Sequence, residues 1–482
     1  MTLGESLVQA GLVETQDVDR ALDHQTKQGG TLGQALVALG VLSEAQLEAF
    51  FRAPPPTLYS IADTGLKPAL LNGLTLKLMH LMGLETASSM AAELRLPAPL
   101  VALVLKGLQE RSQIEALGGV SAVAGADIRF ALTARGREAA AAAFAQSEYV
   151  GPAPVTLDAY QAQVQRQRIT NDRIDRDAIG ESLGHLVLPD GITDRLGPAV
   201  NSGRALLLYG GPGNGKTSIA LGIAQSFRQP IYVPHCIEVD GQIVKLFDPA
   251  IHRAIQDADD GGPDDAKPTG RSRIRLGGED KRWVRCRRPV SVVGGELTLD
   301  MLELGYNAQG RFYEAPFHIK ANGGIFVIDD FGRQIDRPEK ILNRWTLPLE
   351  SRTDFLTLHT GRKFAVRFDG LVVFSTNLPP RQIMDGAMMR RIPYNFLIGP
   401  PSRDEYRAIL DRTARGHGLT VPPDTADMLF RDVYGDNDEL LARYHPRFLI
   451  EHVIARCRFL GRQVALERDL VMEAAGHLAV RE

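Results

Sequence analysis

Apolar residues recur at helical spacing at both ends of the chain and gather into short continuous runs between them. Residues 1–52 carry an internal repeat. TLGESLVQAGLVETQDVDRALDHQ is followed 29 positions later by TLGQALVALGVLSEAQLEAFF, and Leu3, Gly4, Leu7, Gly11, Val18 and Leu22 map onto Leu32, Gly33, Leu36, Gly40, Leu47 and Phe51. Each unit predicts a short helix, a glycine turn and a second amphipathic helix. Two such units cover one another's apolar faces, which predicts a compact helical module. Residues 53–145 open on a stiff Ala-Pro-Pro-Pro spacer and continue as three apolar helices, a hairpin (IEAL, a glycine-rich turn, DIRFALT) and a last helix, GREAAAAAFA. Residues 146–172 read as a linker with a polar helix. A β/α alternation fills 173–400, and 401–482 show helical periodicity alone. The expected fold class is an α/β phosphate-loop core, a parallel sheet flanked by helices, with a helical lid behind it and two small α-rich modules in front.

The length of 482 residues exceeds one hydrophobic core and predicts two to four domains. No run approaches ~18 apolar residues, so no membrane insertion is expected. The N-terminus lacks a basic region followed by an apolar stretch, so a cytoplasmic chain is expected. Cys236, Cys286 and Cys457 lie far apart without metal-ligand spacing and read as reduced thiols. The net charge of −3 splits into −4 over residues 1–150 and +1 beyond them, so neither half is a generic polyanion binder.

The most informative line is RALLLYGGPGNGKTSIALGIAQSF. Leu206 to Tyr209 is a buried-strand run. It leads into Gly210, Gly211, Pro212, Gly213, Asn214, Gly215, Lys216 and Thr217, and a helix opening with Ser218 follows. This is G-x-x-x-x-G-K-[ST] in its expected setting. Backbone N–H groups of such a loop wrap a phosphate at a helix N-terminus. Lys216 would reach the β- and γ-phosphates of ATP, and the Thr217 hydroxyl would ligate Mg²⁺. Further on, Ile325 to Ile328 end in Asp329 and Asp330. A carboxylate at the end of a neighbouring strand can hold the metal's hydration shell, the role given to Asp329; Asp330 would polarise the attacking water.

Residues 173–482 thereby resemble AAA+ ATPases. The Ala-Asn-Gly-Gly lead-in at 321–324 is similar to the magnesium-chelatase-like branch. That resemblance implies a sensor role for Asn377, an arginine finger at Arg390 or Arg391 acting on a neighbouring subunit's nucleotide, and a second sensor at Arg447. It also implies adenine packing by Leu186 and Val187, and a homo-oligomeric ring, hexameric in this family, that remodels a protein partner. AAA+ proteins usually carry glutamate where this chain has Asp330.

Between Lys216 and Asp329 lie more residues than a minimal core needs. The insertion 254–290 has an acidic run and a basic stretch, 267–288, with nine Lys/Arg against Glu279 and Asp280. It reads as a basic arm for nucleic acid or an acidic partner, or as a solvated hairpin neutralising its neighbour. Tyr306, Phe312 and Tyr313 read equally as a pore grip and as core.

The repeat module resembles the N-terminal domain of type II secretion and type IV pilus assembly ATPases, some of which bind cyclic di-GMP through Arg-Leu-Gly openings. Thr2 and Thr31 replace those arginines and remove the bidentate contacts, which argues against that ligand. It would place the chain beside a pilus or secretion machine. Residues 53–145 resemble a winged helix. Their helix opening Pro97-Ala98-Pro99-Leu100-Val101 offers no side chain to read a base edge, and only Lys106 and Arg111 follow. An ATP-switched DNA-binding regulator and a nucleotide-gated scaffold with little turnover are the alternative readings.

Overall fold

The computed structural model describes residues 3–119, 128–255 and 279–478. Much of the basic insertion, residues 256–278, lies outside the described residues, as does Thr2.

The N-terminal repeat folds as four helices, Leu3–Gln9, Thr15–Gln28, Leu32–Ala38 and Glu44–Arg52, around Leu7, Ala21, Ala35, Leu36 and Phe50. The repeat has a packing reason. A Cβ on Gly4 would meet Val18 Cγ1 at 2.6 Å, and one on Gly33 would meet Leu47 Cδ2 at 2.8 Å. Equivalent helices of the two units thus cross at equivalent glycines. Thr31 accepts from the Gln34 N–H and Gln34 returns a bond to the Thr31 N–H, so the Thr31 side chain is engaged as a helix cap.

Residues 68–146 form helices Pro68–Met82, Ala87–Leu94 and Ala98–Glu110, an antiparallel hairpin of Ile114–Gly119 with Ile128–Leu132, and helix Ala134–Gln146. The helix pair Ala87–Leu94 and Ala98–Glu110 is apolar enough to resemble a bent span, but among the described residues no single helix is long and apolar enough to cross a membrane. Helix Ala98–Glu110 buries Leu100, Val101, Val104, Leu105 and Leu108 and leaves Ala102, Leu103 and Lys106 outside. Buried Lys77 donates to the carbonyls of Ser147 (2.8 Å) and Tyr149 (2.6 Å), satisfying groups just past the last helix.

The stretch expected as a linker is packed. Val155–Thr156 joins a second five-stranded sheet, ordered Gly305–Asn307, Phe312–Glu314, Gln242–Lys245, Cys236–Val239, Val155–Thr156. Helix Leu157–Arg166 buries Tyr160, Gln163, Val164 and Gln165. Much of the extra length between Lys216 and Asp329 is therefore a platform that the module of residues 68–146 rests on. Its Cys236 and Ile243 share that module's core, and Tyr313 is fully buried.

The core sheet has five parallel strands: β1 (Leu206–Tyr209), β2 (Val290–Val293), β3 (Ile325–Ile328), β4 (Leu371–Thr376) and β5 (Tyr394–Leu397), in the order β5-β1-β4-β3-β2. Alternate residues feed two cores. Leu206, Leu208, Ile325, Val327, Leu371 and Val373 face one, and Leu207, Phe326, Ile328, Val372 and Phe374 the other. A sheet covered on both faces needs such uninterrupted apolar runs. Between β3 and β4 lie helix Pro338–Ser351 and a hairpin of Thr353–Thr357 with Lys363–Arg367. Helices Arg403–Gly416, Thr425–Asp432, His445–Phe459 and Arg468–Gly476 close around their own core as the lid.

Candidate nucleotide site

Strand register assembles the site. Tyr209 pairs with Thr376, and Ile328 with Phe374, so the carboxyl ends of β1, β4 and β3 lie side by side. Gly210 leaves β1, Asn377 leaves β4 and Asp329 leaves β3 at one edge. Outside the carboxyl ends of parallel strands is where ligands bind in open α/β sheets.

The loop after β1 runs into helix Lys216–Ser226. Gly210 (φ 139°) passes so close to Ile398 that a Cβ would sit 2.2 Å from its carbonyl oxygen. The first amides of the helix, on Lys216, Thr217 and Ser218, have no intrahelical acceptor and sit at the positive end of the helix dipole. Lys216 Nζ donates to the carbonyls of Gly210 (3.0 Å) and Gly211 (2.9 Å) and to Asn377 Oδ1 (2.7 Å). Burial lowers the Lys216 pKa from its ordinary value, and the charges of Asp329 and Asp330 oppose that. Thr217 Oγ1 donates to Asp329 Oδ2 at 2.6 Å, so hydroxyl and carboxylate share one point.

Asn377 reaches both ways. Its Oδ1 accepts from Lys216, and its Nδ2 donates to Asp330 Oδ1 at 2.9 Å. Asp330 is held at φ 46°, in the left-handed region. Asp tolerates that region better than longer side chains do, which gives a backbone reason for aspartate where glutamate is usual. Gln334 holds the bend by donating to the carbonyls of Asp329 (3.1 Å) and Asp330 (3.3 Å).

The remaining sequence-derived positions fall in two places. Leu186 and Val187 lie at the seam of core and lid, partly buried. Arg447 is 73% exposed and paired with Glu451 at 2.7 Å. Arg390 and Arg391 stand at the opposite end of the sheet. With Arg204, Arg352 and Glu350 they line a cleft of about 660 Å³ beside the amino ends of β1 and β4. Arg391 pairs with Glu350 at 2.6 Å, whereas Arg390 is exposed and has no ion-pair or hydrogen-bond partner among the described residues.

A family model described as a domain of unknown function, DUF8689, matches residues 402–477, the lid. No curated protein matches the sequence. Among solved structures the chain is similar to NtrX from Brucella abortus (12% identity, 64% of this chain and 55% of that one, TM-score 0.36). It is also similar to the Thermotoga maritima RuvB Holliday junction branch migration motor (13%, 68% and 72%, TM-score 0.33). Domain III of the T. maritima replication initiation protein DnaA matches too (12%, 63% and 98%, TM-score 0.35). The chain spans about half the length of NtrX. Those overlaps are loose, and it is the chain's own sheet that fixes the architecture: phosphate loop after β1, acids after β3, Asn377 after β4, lid behind. The core is a five-stranded parallel α/β sheet with a glycine-rich loop after its first strand and a helical lid.

Sequence reasoning missed three contributors. Gln334 carries no motif. Arg443 and Tyr444 sit just ahead of the helix that carries Arg447, and both touch the phosphate loop: the Arg443 N–H donates to Asn214 Oδ1 (3.3 Å) and the Tyr444 N–H to the Gly213 carbonyl (3.1 Å). Only the approach of lid to core could have singled them out.

Proposed function

We propose that this chain is an AAA+ ATPase that binds ATP with Mg²⁺ at the edge of β1, β3 and β4 and hydrolyses it to remodel a protein partner. The observation that carries the reading is the continuous chain Lys216–Asn377–Asp330, beside the shared point of Thr217 and Asp329. The loop amides and Lys216 bind the phosphates, and Thr217 with Asp329 supplies hard oxygen ligands suited to Mg²⁺. The metal, when bound, neutralises charge on the β- and γ-phosphate oxygens. Asp330, oriented by Asn377, orients and deprotonates the attacking water.

Within one chain the arginine cleft and the phosphate loop lie at opposite ends of β1, so Arg390 or Arg391 acts only on the nucleotide of a neighbouring copy. This supports a homo-oligomeric ring. The free state of Arg390 makes it the favoured finger. The front modules are read as docking surfaces for the partner, in keeping with the secretion-type repeat. The DNA-binding alternative gains little from helix Ala98–Glu110, whose exposed residues are Pro99, Ala102, Leu103, Lys106, Gln109 and Glu110, with apolar side chains over its first half and a single cation.

The test is ATP binding and phosphate release by the full chain and by Lys216→Ala. Loss of both in the variant is expected. Unchanged ATP affinity refutes the site.

A further inference from the structure

Arg443 sits where lid, phosphate loop and the 186–187 segment meet. Its Nη1 donates to the Val187 carbonyl at 2.6 Å and its Nη2 to Glu405 Oε2 at 2.7 Å. Its own N–H reaches Asn214. The side chain is 8% exposed, yet its Nε has no partner among the described residues. Buried donors are rarely left unmatched in native proteins, because desolvation is then uncompensated.

Two features decide what such a donor serves. The ion pair with Glu405 cancels the charge of the guanidinium, so Arg443 is no general phosphate attractor and keeps only its directional N–H. Its contacts on the core also fall on positions 187 and 214, away from the point that Thr217 and Asp329 share. Arg447, three residues on, is solvent-facing and paired with Glu451.

We propose that Arg443 positions the nucleoside end of the bound nucleotide. It clamps the Leu186–Val187 segment to the phosphate loop, and it offers its Nε–H to an acceptor on the ribose or base. This rests on the ATP-site reading above, and it makes lid closure sensitive to whether a nucleoside is attached to the phosphates.

The experiment titrates the full chain and Arg443→Ala with Mg-ATP and with Mg-tripolyphosphate, which has the phosphates but no nucleoside, by calorimetry. The wild type is expected to bind both and to prefer ATP. In Arg443→Ala the ATP affinity falls tenfold or more while tripolyphosphate binding changes less than twofold. Arg443→Lys, which keeps the pair with Glu405 and guards against simple unfolding of the lid, shows the same loss of preference. Equal falls for both ligands, or no fall for either, overturn the proposal while leaving the phosphate site intact. A wild type that binds neither ligand overturns the ATP-site reading itself, and this proposal with it.

Discussion

Asn377 donates to Asp330 across the ends of neighbouring strands, Nδ2 to Oδ1 at 2.9 Å, while its own oxygen accepts from Lys216. The amide thereby fixes the acid relative to the ammonium. In Asn377→Ala, ATP binding is expected within about threefold of wild type, because the loop amides remain. Phosphate release should fall by about 10² or more, the scale of a misplaced general base. Binding and turnover falling together would show that Asn377 holds the loop and not the acid.

Asp330 combines a strained backbone with the water-activating role proposed for it. Asp330→Gly removes the strain of φ 46°, of order 1 kcal/mol. Its melting temperature should hold or rise while turnover disappears. Asp330→Glu should lose about 1 kcal/mol of stability and gain no turnover, since the longer carboxylate overshoots Asn377. A faster Asp330→Glu enzyme would mean that the reach of the acid limits the reaction and would refute the overshoot.

Gly213 lies under the Tyr444 ring, where a Cβ would come within 2.2 Å of Cδ1, and its φ is 74°. Gly213→Ala is expected to weaken ATP binding at least tenfold. Adding Tyr444→Ala removes the clash but not the backbone strain, so the double variant should recover only part of the affinity. Recovery would show as a coupling energy in a double-mutant cycle. Additive effects would count against contact between lid and loop.

Arg390 and Arg391 are separable. Arg390→Ala should bind ATP normally and lose about 10³ in turnover, the range of a trans arginine. Arg391→Ala, whose side chain already pairs with Glu350, should lose far less. Mixing Arg390→Ala with Lys216→Ala chains should restore turnover at interfaces with one intact half from each. No restoration in mixtures would rule out action across subunits.

Acid should loosen the lid. His445 Nδ1 accepts from the Ala442 N–H (3.3 Å) and meets the Tyr434 hydroxyl (3.0 Å), which requires the neutral ring. Burial depresses its pKa to about 4. A folded pKa below the unfolded value near 6.5 means that protons favour the unfolded lid. The contribution is therefore complete above about pH 6.5 and is lost as pH falls toward 4. A melting temperature that declines over this window, with a shallower decline in His445→Gln, is the expected result; equal slopes refute it.

The local patterns were legible in the chain itself. The phosphate loop, the two acids after Ile328 and the repeat built on Gly4 and Gly33 are short-range patterns, because loop geometry, strand burial and helix crossing each demand particular residues at fixed spacing. Tertiary structure alone decided what those residues do to one another. Asn377 links Lys216 to Asp330 only because β4 lies between β1 and β3, a neighbour relation set by sheet order and not by distance along the chain. The linker expected at 146–172 turned out to hold a strand, since Val155–Thr156 pairs with Cys236–Val239 some eighty positions later. Arg443 reaches Asn214 and Val187 only because the lid folds back, a contact between residues more than two hundred positions apart. Periodicity encodes which face of an element is buried; it does not encode which distant element covers it.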